Sequence, residues 1–256
     1  MRNVPAAADA ALGADLFKIL TEDATDTVFS PASVASALRI ALCGARGQTA
    51  AELARVLNLD QDPNPQDAAA TGLRLTLTSG GSATFRAPNT VWIQSGLPVS
   101  AAFEARLHDA VTLAAADFRA APEATRTEIN QVIATQTEGK ISGLLPSGTI
   151  TALTRLVLAS AVYLKAAWTE SFPERATADA PFNPDGRDQP PLTVPMMHGT
   201  ASRAYLRGDG YQAVLLPYRD INLAMAVLLP DGPLAALRPK LAAAGLGGLL
   251  AGAARH

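Results

Sequence analysis

The sequence has few of the residues on which most catalytic and metal sites depend. Its 256 residues include one cysteine and three histidines. The single cysteine, Cys43, excludes an internal disulfide bond. The histidines, His108, His198 and His256, do not have the spacing of metal ligands. We therefore expect no metal and no cofactor, and we predict that the protein is not an enzyme.

Long hydrophobic runs and an excess of charge of either sign are also missing. No run of about eighteen apolar residues occurs, which argues against a membrane-spanning helix. A formal net charge of -2 argues against nucleic acid or a membrane surface as the main partner. The N-terminus carries Asp9 and Asp15 and no continuous apolar segment, so it does not have the pattern of a secretory signal.

What the sequence does contain is enough apolar material, 48% of its residues, for one large domain or two small ones. Helices dominate the first third and strands the last third, which predicts the α+β class. Helices are predicted at residues 8–22, 31–44, 49–57, 101–110, 122–137 and 233–246, the last kinked at Pro239. Residues 66–78 are ambiguous. Strands are predicted at 27–29, 85–94, 111–118, 202–206, 211–218 and 221–229, the last two joined by a tight hairpin at residues 219–220.

The stretch from Thr154 to Trp168 holds nine uncharged residues between Arg155 and Lys165. It predicts a central strand that is buried on both faces. Ser160 is the polar residue inside it, and a buried hydroxyl needs a hydrogen-bond partner. This strand is the feature that we expect the other segments to cover.

Individual side chains suggest no active site. Cys43 lies on the apolar side of a predicted helix, where a buried and inert cysteine is the usual case, although a catalytic thiol is an alternative. Polar residues inside apolar segments are more informative: Ser30, Ser33, Asn89, Asn130 and Ser160. A structural hydrogen-bond network explains these residues better than catalysis does.

Several motifs resemble one protein family in order and in spacing. The run T-V-F-S-P-A-S-V-A-S-A-L from Thr27 is followed by L-C-G-A-R-G-Q-T-A-A-E-L. Further along come Asn130, then T-E-G-K-I from Thr137, then L-T-R-L-V-L-A-S-A-V-Y-L-K-A-A-W. V-P-M-M from Val194 and M-A-V-L-L-P-D complete the set. Together they resemble the serpins, the serine protease inhibitors, over residues 8–237.

The resemblance implies where the elements lie. Residues 155–168 would be the third strand of a large central sheet, 85–94 the second and 111–118 an edge strand. The helix at 122–137 would lie across the front of the sheet. The sheet-opening residues implied by the family are Ser30, Ser33, Asn130, Ser160 and Trp168.

The resemblance also implies a function that is mechanical rather than catalytic. A serine (or occasionally cysteine) protease would cut an exposed reactive loop, which would then insert into the sheet as an extra strand and trap the acylated protease. The chain departs from the family pattern at Ser160, where asparagine is usual, and at Ala166, where glycine is usual. Residues 237–256 show no hinge followed by a reactive loop, so no reactive bond is found in this chain.

We therefore expect residues 1–256 to form a single incomplete domain, the N-terminal two-thirds of a serpin, with its C-terminal third missing. The strand at residues 155–165 would then be an exposed apolar edge, which would favour self-association or pairing with a complementing C-terminal fragment. A non-inhibitory binding protein or an inactive remnant is the alternative function. The family suggests an extracellular location, whereas the lack of a signal pattern suggests the cytoplasm.

Overall fold

The computed structural model describes residues 4–22, 26–60, 62–73, 80–107, 110–184, 190–251 and 254–255. Helices and sheets both occur within them, which confirms the α+β class. The contacts divide the chain into two compact units. The first holds residues 1–12, 29–76 and 85–164, and the second holds 13–28, 77–84 and 165–256. That the whole chain is a single incomplete domain stays a prediction. Among the described residues, no helix has the length and apolarity that crossing a membrane requires.

Within the described residues, six helices precede the long strand predicted at residues 155–165. They are α1 (Val4–Leu20), α2 (Pro31–Gly44), α3 (Gly47–Val56), α4 (Pro65–Gly72), α5 (Ala101–Leu107) and α6 (Pro122–Gln136). The predicted limits of α2 are confirmed, because Ser30 caps it and Pro31 occupies its first turn. Helix α3 begins at Gly47, two residues before the predicted start at residue 49, so Thr49 lies inside the helix and does not cap it. The part of the ambiguous segment after Leu73 lies outside the described residues. The short strand predicted at residues 27–29 does not form.

A three-stranded sheet organises the first unit. Strand β2 (Asn89–Gln94) lies in the middle, with β3 (Thr112–Ala116) parallel on one side and β4 (Leu156–Ser160) antiparallel on the other. All six residues of β2 are buried. Residues 157–160 of β4 are only half-buried, and Leu156 is 48% exposed. The prediction that residues 155–165 form a central strand buried on both faces is therefore wrong. This segment contributes an edge strand, and β2 is the central one.

Two strands that the sequence predicts as continuous are each broken, and at the same level. The segment 85–94 divides into β1 (Thr84–Arg86) and β2, and the segment 155–165 divides into β4 and β5 (Tyr163–Lys165). Strand β1 pairs with β5. Between the two pairs, the Ala161 N–H donates to the Pro88 carbonyl at 3.1 Å. Pro88 has no N–H to return, so the regular ladder stops there.

The two faces of the three-stranded sheet are covered by different helices. On one face, α6 buries Ile129 and Ile133 against Trp92 of β2 and Phe118, and Val157 and Ala159 of β4 pack at the margin of this cluster. Successive side chains of a strand point to opposite faces, so Leu156, Leu158 and Ser160 lie on the other face. Helix α2 packs against β4.

The second unit contains a four-stranded antiparallel sheet in the order β10-β9-β8-β11. Its strands are β8 (Ala204–Gly208), β9 (Tyr211–Pro217), β10 (Ala224–Pro230) and β11 (Ala254–Arg255). Helix α7 (Leu234–Leu249) packs Leu237 and Leu249 against Tyr211 and Ala213. The predicted antiparallel pair at residues 211–229 is confirmed. The tight two-residue hairpin is not, because residues 218–223 connect the strands and the Tyr218 N–H donates to the Leu223 carbonyl at 3.0 Å.

Three further features of the second unit differ from the sequence predictions. The segment between Trp168 and residue 202, for which the sequence predicts no strand, forms a 3₁₀ turn (Glu174–Ala176) and a two-stranded pair, β6 (Ala178–Phe182) with β7 (Leu192–Met196). Both strands of such a pair are edges, where Pro181 and Pro195 are tolerated. Helix α7 is interrupted at Gly245, where φ is 65°, and not at Pro239. The C-terminal segment, for which the sequence predicts no strand after residue 229, contains β11.

Candidate functional site

The three-stranded sheet has two outer edges among the described strands, one on β3 and one on β4, and the edge of β4 is the candidate site. The Gln94 N–H donates to the Arg155 carbonyl at 2.9 Å, and the Ala161 N–H donates to the Pro88 carbonyl at 3.1 Å. These bonds set the alternation of the ladder, so Val157 and Ala159 also turn their backbone groups toward β2. Leu156, Leu158 and Ser160 consequently turn theirs away from β2. Within the described parts of the chain, no strand pairs with that edge.

Ser160 lies at the end of β4, directly opposite Asn89 of β2. Both side chains belong to the sheet face opposite to the one that α6 covers. Asn89 is buried, and its Oδ1 accepts no hydrogen bond from any described residue. The structure thus brings together two of the polar residues that the sequence singled out, Asn89 and Ser160.

Ser30 and Ser33 act together at the start of α2. The Ser30 Oγ accepts a hydrogen bond from the Ser33 N–H at 3.2 Å, which is the usual N-cap contact. One turn further along the helix, Ser36 is fully buried, and its Oγ lacks a hydrogen bond among the described residues. Thr90, next to Asn89, is also buried, and its Oγ1 likewise lacks a hydrogen bond among the described residues. Sequence reasoning missed Ser36 and Thr90, although the spacing of serines at 30, 33 and 36 is a signal for the first of them.

Asn130 has a different role from the serines. Its Nδ2 donates to the Leu145 carbonyl and its Oδ1 accepts the Leu145 N–H, both at 2.9 Å. This pair of bonds fastens α6 to the segment that follows it. Asn130 and Ser160 therefore contribute to opposite faces of the sheet, and the structure does not bring them into one cluster. A part for either residue in sheet opening stays a prediction.

Trp168 belongs to the second unit and stacks on Tyr218. Their ring centroids are 4.6 Å apart and the planes differ by 14°. Backbone bonds on both sides hold the stack: the Thr169 N–H donates to the Pro217 carbonyl at 2.9 Å, and the Arg219 N–H donates to the Ala167 carbonyl at 2.7 Å. The sequence identified Trp168 but not its aromatic partner. The role predicted for Trp168 in strand insertion is not tested by this geometry.

Catalytic chemistry at Cys43 is disfavoured by its surroundings. The residue is fully buried, and its Sγ lies 3.7 Å from the Gln66 carbonyl oxygen. Burial raises the pKa of the thiol to about 11, so the reactive thiolate is scarce at neutral pH. His198 lies in the other unit, and His108 and His256 are outside the described residues. In the described part of the chain, no three acidic, histidine or cysteine side chains are grouped to hold a metal ion.

Comparison with known proteins places this arrangement in one family. The family model described as Serpin (serine protease inhibitor) matches residues 7–253. A serpin-like protein of Thermococcus kodakarensis, itself uncharacterized, is 37% identical over 227 residues, which are 84% of this chain and 50% of that protein. A leukocyte elastase inhibitor of Equus caballus is 35% identical over 223 residues, 85% of this chain and 58% of the inhibitor. The chain thus spans little more than half the length of these relatives.

Solved structures agree on the fold. A structure of cleaved serpin 42Da superposes with a TM-score of 0.88 at 24% identity, covering 97% of this chain and 68% of the other. Emu ovalbumin superposes with a TM-score of 0.84 at 22% identity, covering 98% and 71%. Identities this low establish the architecture and leave activity open.

Proposed function

The chain belongs to the serpin family, and we propose that it serves to inhibit a serine protease by accepting a cleaved segment of polypeptide as a further strand beside β4. The segment would come from a reactive loop carried on the same polypeptide or on a complementing one. The protease would remain attached through its acyl bond and would be inactivated by the movement. Strand addition at a sheet edge is an established mode of peptide recognition, and serpin loop insertion is one known case.

The observation that carries the proposal is the outer edge of β4. Leu156, Leu158 and Ser160 direct their backbone N–H and C=O groups away from β2. An edge of this kind is a template for another strand, and proteins usually protect such edges with bulges, charges or prolines. Residues 156–160 of β4 contain none of these.

The named relatives suggest which protease to test first. Two curated relatives, from Equus caballus and Sus scrofa, are leukocyte elastase inhibitors that are 35% and 34% identical to this chain. An elastase-type serine protease is therefore the first candidate partner. In this proposal the polar residues Ser160 and Asn89, together with the α2 cap formed by Ser30 and Ser33, would help the sheet to admit a strand beside β4.

The test is covalent complex formation, with one substitution that blocks the edge. The natural gene product, or this chain together with a complementing fragment that carries the reactive loop, is incubated with an elastase-type protease. The products are resolved under denaturing conditions while protease activity is followed. We expect a complex stable to denaturation and a matching loss of activity. Protease whose active-site serine has been blocked chemically cannot form the acyl bond, so it should give no complex.

Leu158 supplies the matched pair of variants. Leu158→Pro removes an N–H that points away from β2, so it should lower complex formation by about tenfold or more while the β2 ladder is kept. Leu158→Ala loses the same side chain and retains the N–H, and it should form complex nearly as well as the wild type. Equal yields from both variants would contradict insertion beside β4. Cleavage of the protein without any complex would favour the non-inhibitory alternative.

A further inference from the structure

The turn that follows α6 has an unusual backbone. Glu138 has φ 50° and Gly139 has φ 77°, so two consecutive residues adopt the left-handed backbone conformation. The Gly139 N–H donates to the Ala134 carbonyl at 2.7 Å, which closes the end of the helix. Glycine adopts this conformation at low cost, whereas for glutamate it is uncommon. The surroundings of Glu138 must therefore stabilise the turn.

Those surroundings are two side chains from the β1–β5 pair. The Tyr163 hydroxyl donates to the Glu138 Oε2 at 2.6 Å, and the Arg86 Nη1 lies 3.2 Å from Oε1. The Arg86 guanidinium also lies over the Tyr163 ring, 5.5 Å from its centroid. The ring of Tyr163 is buried, and the bond to the Glu138 carboxylate raises the pKa of its hydroxyl. A hydrogen bond between a hydroxyl and a carboxylate is among the stronger kinds.

Side-chain hydrogen bonds also fasten the segment after α6 to the helix itself, at residues 145–148. Asn130 bonds both backbone groups of Leu145, and Arg126 donates to the same carbonyl at 2.9 Å. Glu123 accepts the Gly148 N–H at 3.0 Å and the Ser147 hydroxyl at 3.3 Å. These bonds would move with the helix if it were lifted. The bond between Glu138 and Tyr163 would instead have to break.

A strand added beside β4 requires some displacement of this region. Alternate side chains of the added strand would point to the face on which Val157 and Ala159 lie. That face is covered by α6 and by Ile141 and Leu145 of the segment after it. Packing of this kind is dense and does not admit further side chains without movement.

We propose that Glu138 is a positioning residue that tethers the C-terminal end of α6 to β5, and that breaking its bond with Tyr163 limits the rate at which β4 accepts a strand. The inference rests on the proposed function for its biological meaning. The structural part of the proposal does not depend on that function. It states that α6 and the segment after it move as one body, which Glu138 tethers to β5.

The first experiment measures strand acceptance directly. A fluorescent synthetic peptide of alternating threonine and alanine is added to the folded protein, and its incorporation is followed by fluorescence anisotropy. Tyr163→Phe removes only the hydroxyl, so we expect incorporation to become about tenfold faster, as a hydrogen bond to a charged group is lost. Glu138→Gln should also accelerate it. The matched control is Glu123→Gln, which weakens a contact inside the α6 body and should change the rate less than about twofold.

A second experiment measures lifting of α6 without any peptide. In a Cys43→Ala background, Ala116→Cys places a small thiol under α6, where residue 116 is 8% exposed. A disulfide reagent should label it about tenfold faster in the Tyr163→Phe protein than in the parent, and at a nearly unchanged rate in Glu123→Gln. Faster labelling with no peptide uptake by any variant would overturn the proposed function and leave the tether standing. Unchanged labelling in Tyr163→Phe would overturn the tether.

Discussion

Strands β2 and β4 are neighbours in one sheet and are both rich in apolar residues, yet their surroundings differ. Strand β2 pairs on both sides, and every one of its residues is buried. Among the described strands, β4 pairs with β2 alone, and its side chains are half-buried or exposed. The difference shows that an apolar strand need not be fully covered. Strand β4 is mostly apolar although its outer edge has no partner among the described strands.

The second unit repeats the contrast. Strand β9 lies inside its sheet, and Tyr211 and Ala213 are buried against α7. Strand β10 lies at the edge, and its alternate residues Met225, Val227 and Leu229 are 43%, 42% and 59% exposed. In each unit, a largely apolar edge strand lies beside an interior strand that is more deeply buried. Exposed apolar edges of this kind usually mark a surface that another chain segment covers.

The largest expected effect compares a residue of β2 with its register partner on β4. Trp92 is buried against Phe118, Ile129 and Ile133, and it pairs with the half-buried Val157. We expect Trp92→Ala to lower the free energy of unfolding by about 3–5 kcal/mol because it removes a large side chain and leaves a cavity. Val157→Ala should lower it by about 1 kcal/mol.

Urea unfolding followed by far-UV circular dichroism measures both values. Because Trp92 and Val157 face each other in the same pair of strands, their backbone surroundings are similar. The comparison therefore reports mainly on how deeply each side chain is buried. Similar losses from Trp92→Ala and Val157→Ala would mean that β4 is as fully covered as β2 in solution. That result would also weaken the case for a free edge.

A smaller effect is expected where the two strands face each other at the end of β4. Ser160 is too short to reach far toward Asn89, whose Oδ1 lacks a donor among the described residues. Directly opposed residues of an antiparallel pair have Cβ atoms about 5 Å apart, so an amide at position 160 can donate to that oxygen. We expect Ser160→Asn to raise the free energy of unfolding by about 1 kcal/mol.

Ser160→Leu is the control, since leucine has nearly the size of asparagine and no donor. It should give no gain through Asn89. If both substitutions stabilise the protein equally, burial rather than hydrogen bonding is the cause. If neither does, the Asn89 oxygen is satisfied by another group in solution.

How far the sequence predicted this fold depends on the range of the interaction concerned. The limits of α2 were predictable because Ser30 and Pro31 act within one turn. The antiparallel pairing of β9 and β10 was predictable from two adjacent apolar runs. The apolar run at residues 155–165 by itself predicted a central strand, because such a run has the same appearance whether its second neighbour is present or absent. The order β3-β2-β4 and the exposed edge of β4 were expected only from the family resemblance.

The site shows the same limit. The sequence identified Ser160 and Asn130 by their polarity, but the side of the sheet to which each contributes depends on register and on which helix covers which face. The break shared by Pro88 and Ala161 arises from two segments more than seventy residues apart. Ser36 could have been found from the serine spacing on α2. Tyr218 could not, because its stacking on Trp168 depends on how the chain folds back.

The smallest expected effect concerns a side-chain hydrogen-bond network at the end of β2, for which β4 has no counterpart among the described residues. At the C-terminal end of β2, the Gln94 Nε2 donates to the Asp117 Oδ1 at 3.3 Å, and the Gln94 Oε1 accepts the Arg119 N–H at 3.1 Å. The Ala120 N–H donates to the same Asp117 oxygen at 3.1 Å. The Ala120 N–H, and after it the Gln94 amide, hold the pKa of Asp117 below its usual value.

A carboxyl group whose pKa is lower in the folded state contributes stability above its unfolded pKa, which is about 3.9. That contribution is lost as the pH falls through the folded pKa. Asp117→Asn should therefore lower the free energy of unfolding at pH 7, and its curve of stability against pH should converge with that of the wild type in acid. Glu123 and Asp209 also have lowered pKa values, but both proteins retain them and they cancel in the difference. A difference between the curves that stays constant from pH 7 to about pH 2 would mean that the charge of Asp117 does not help to hold the ends of β2 and β3 together.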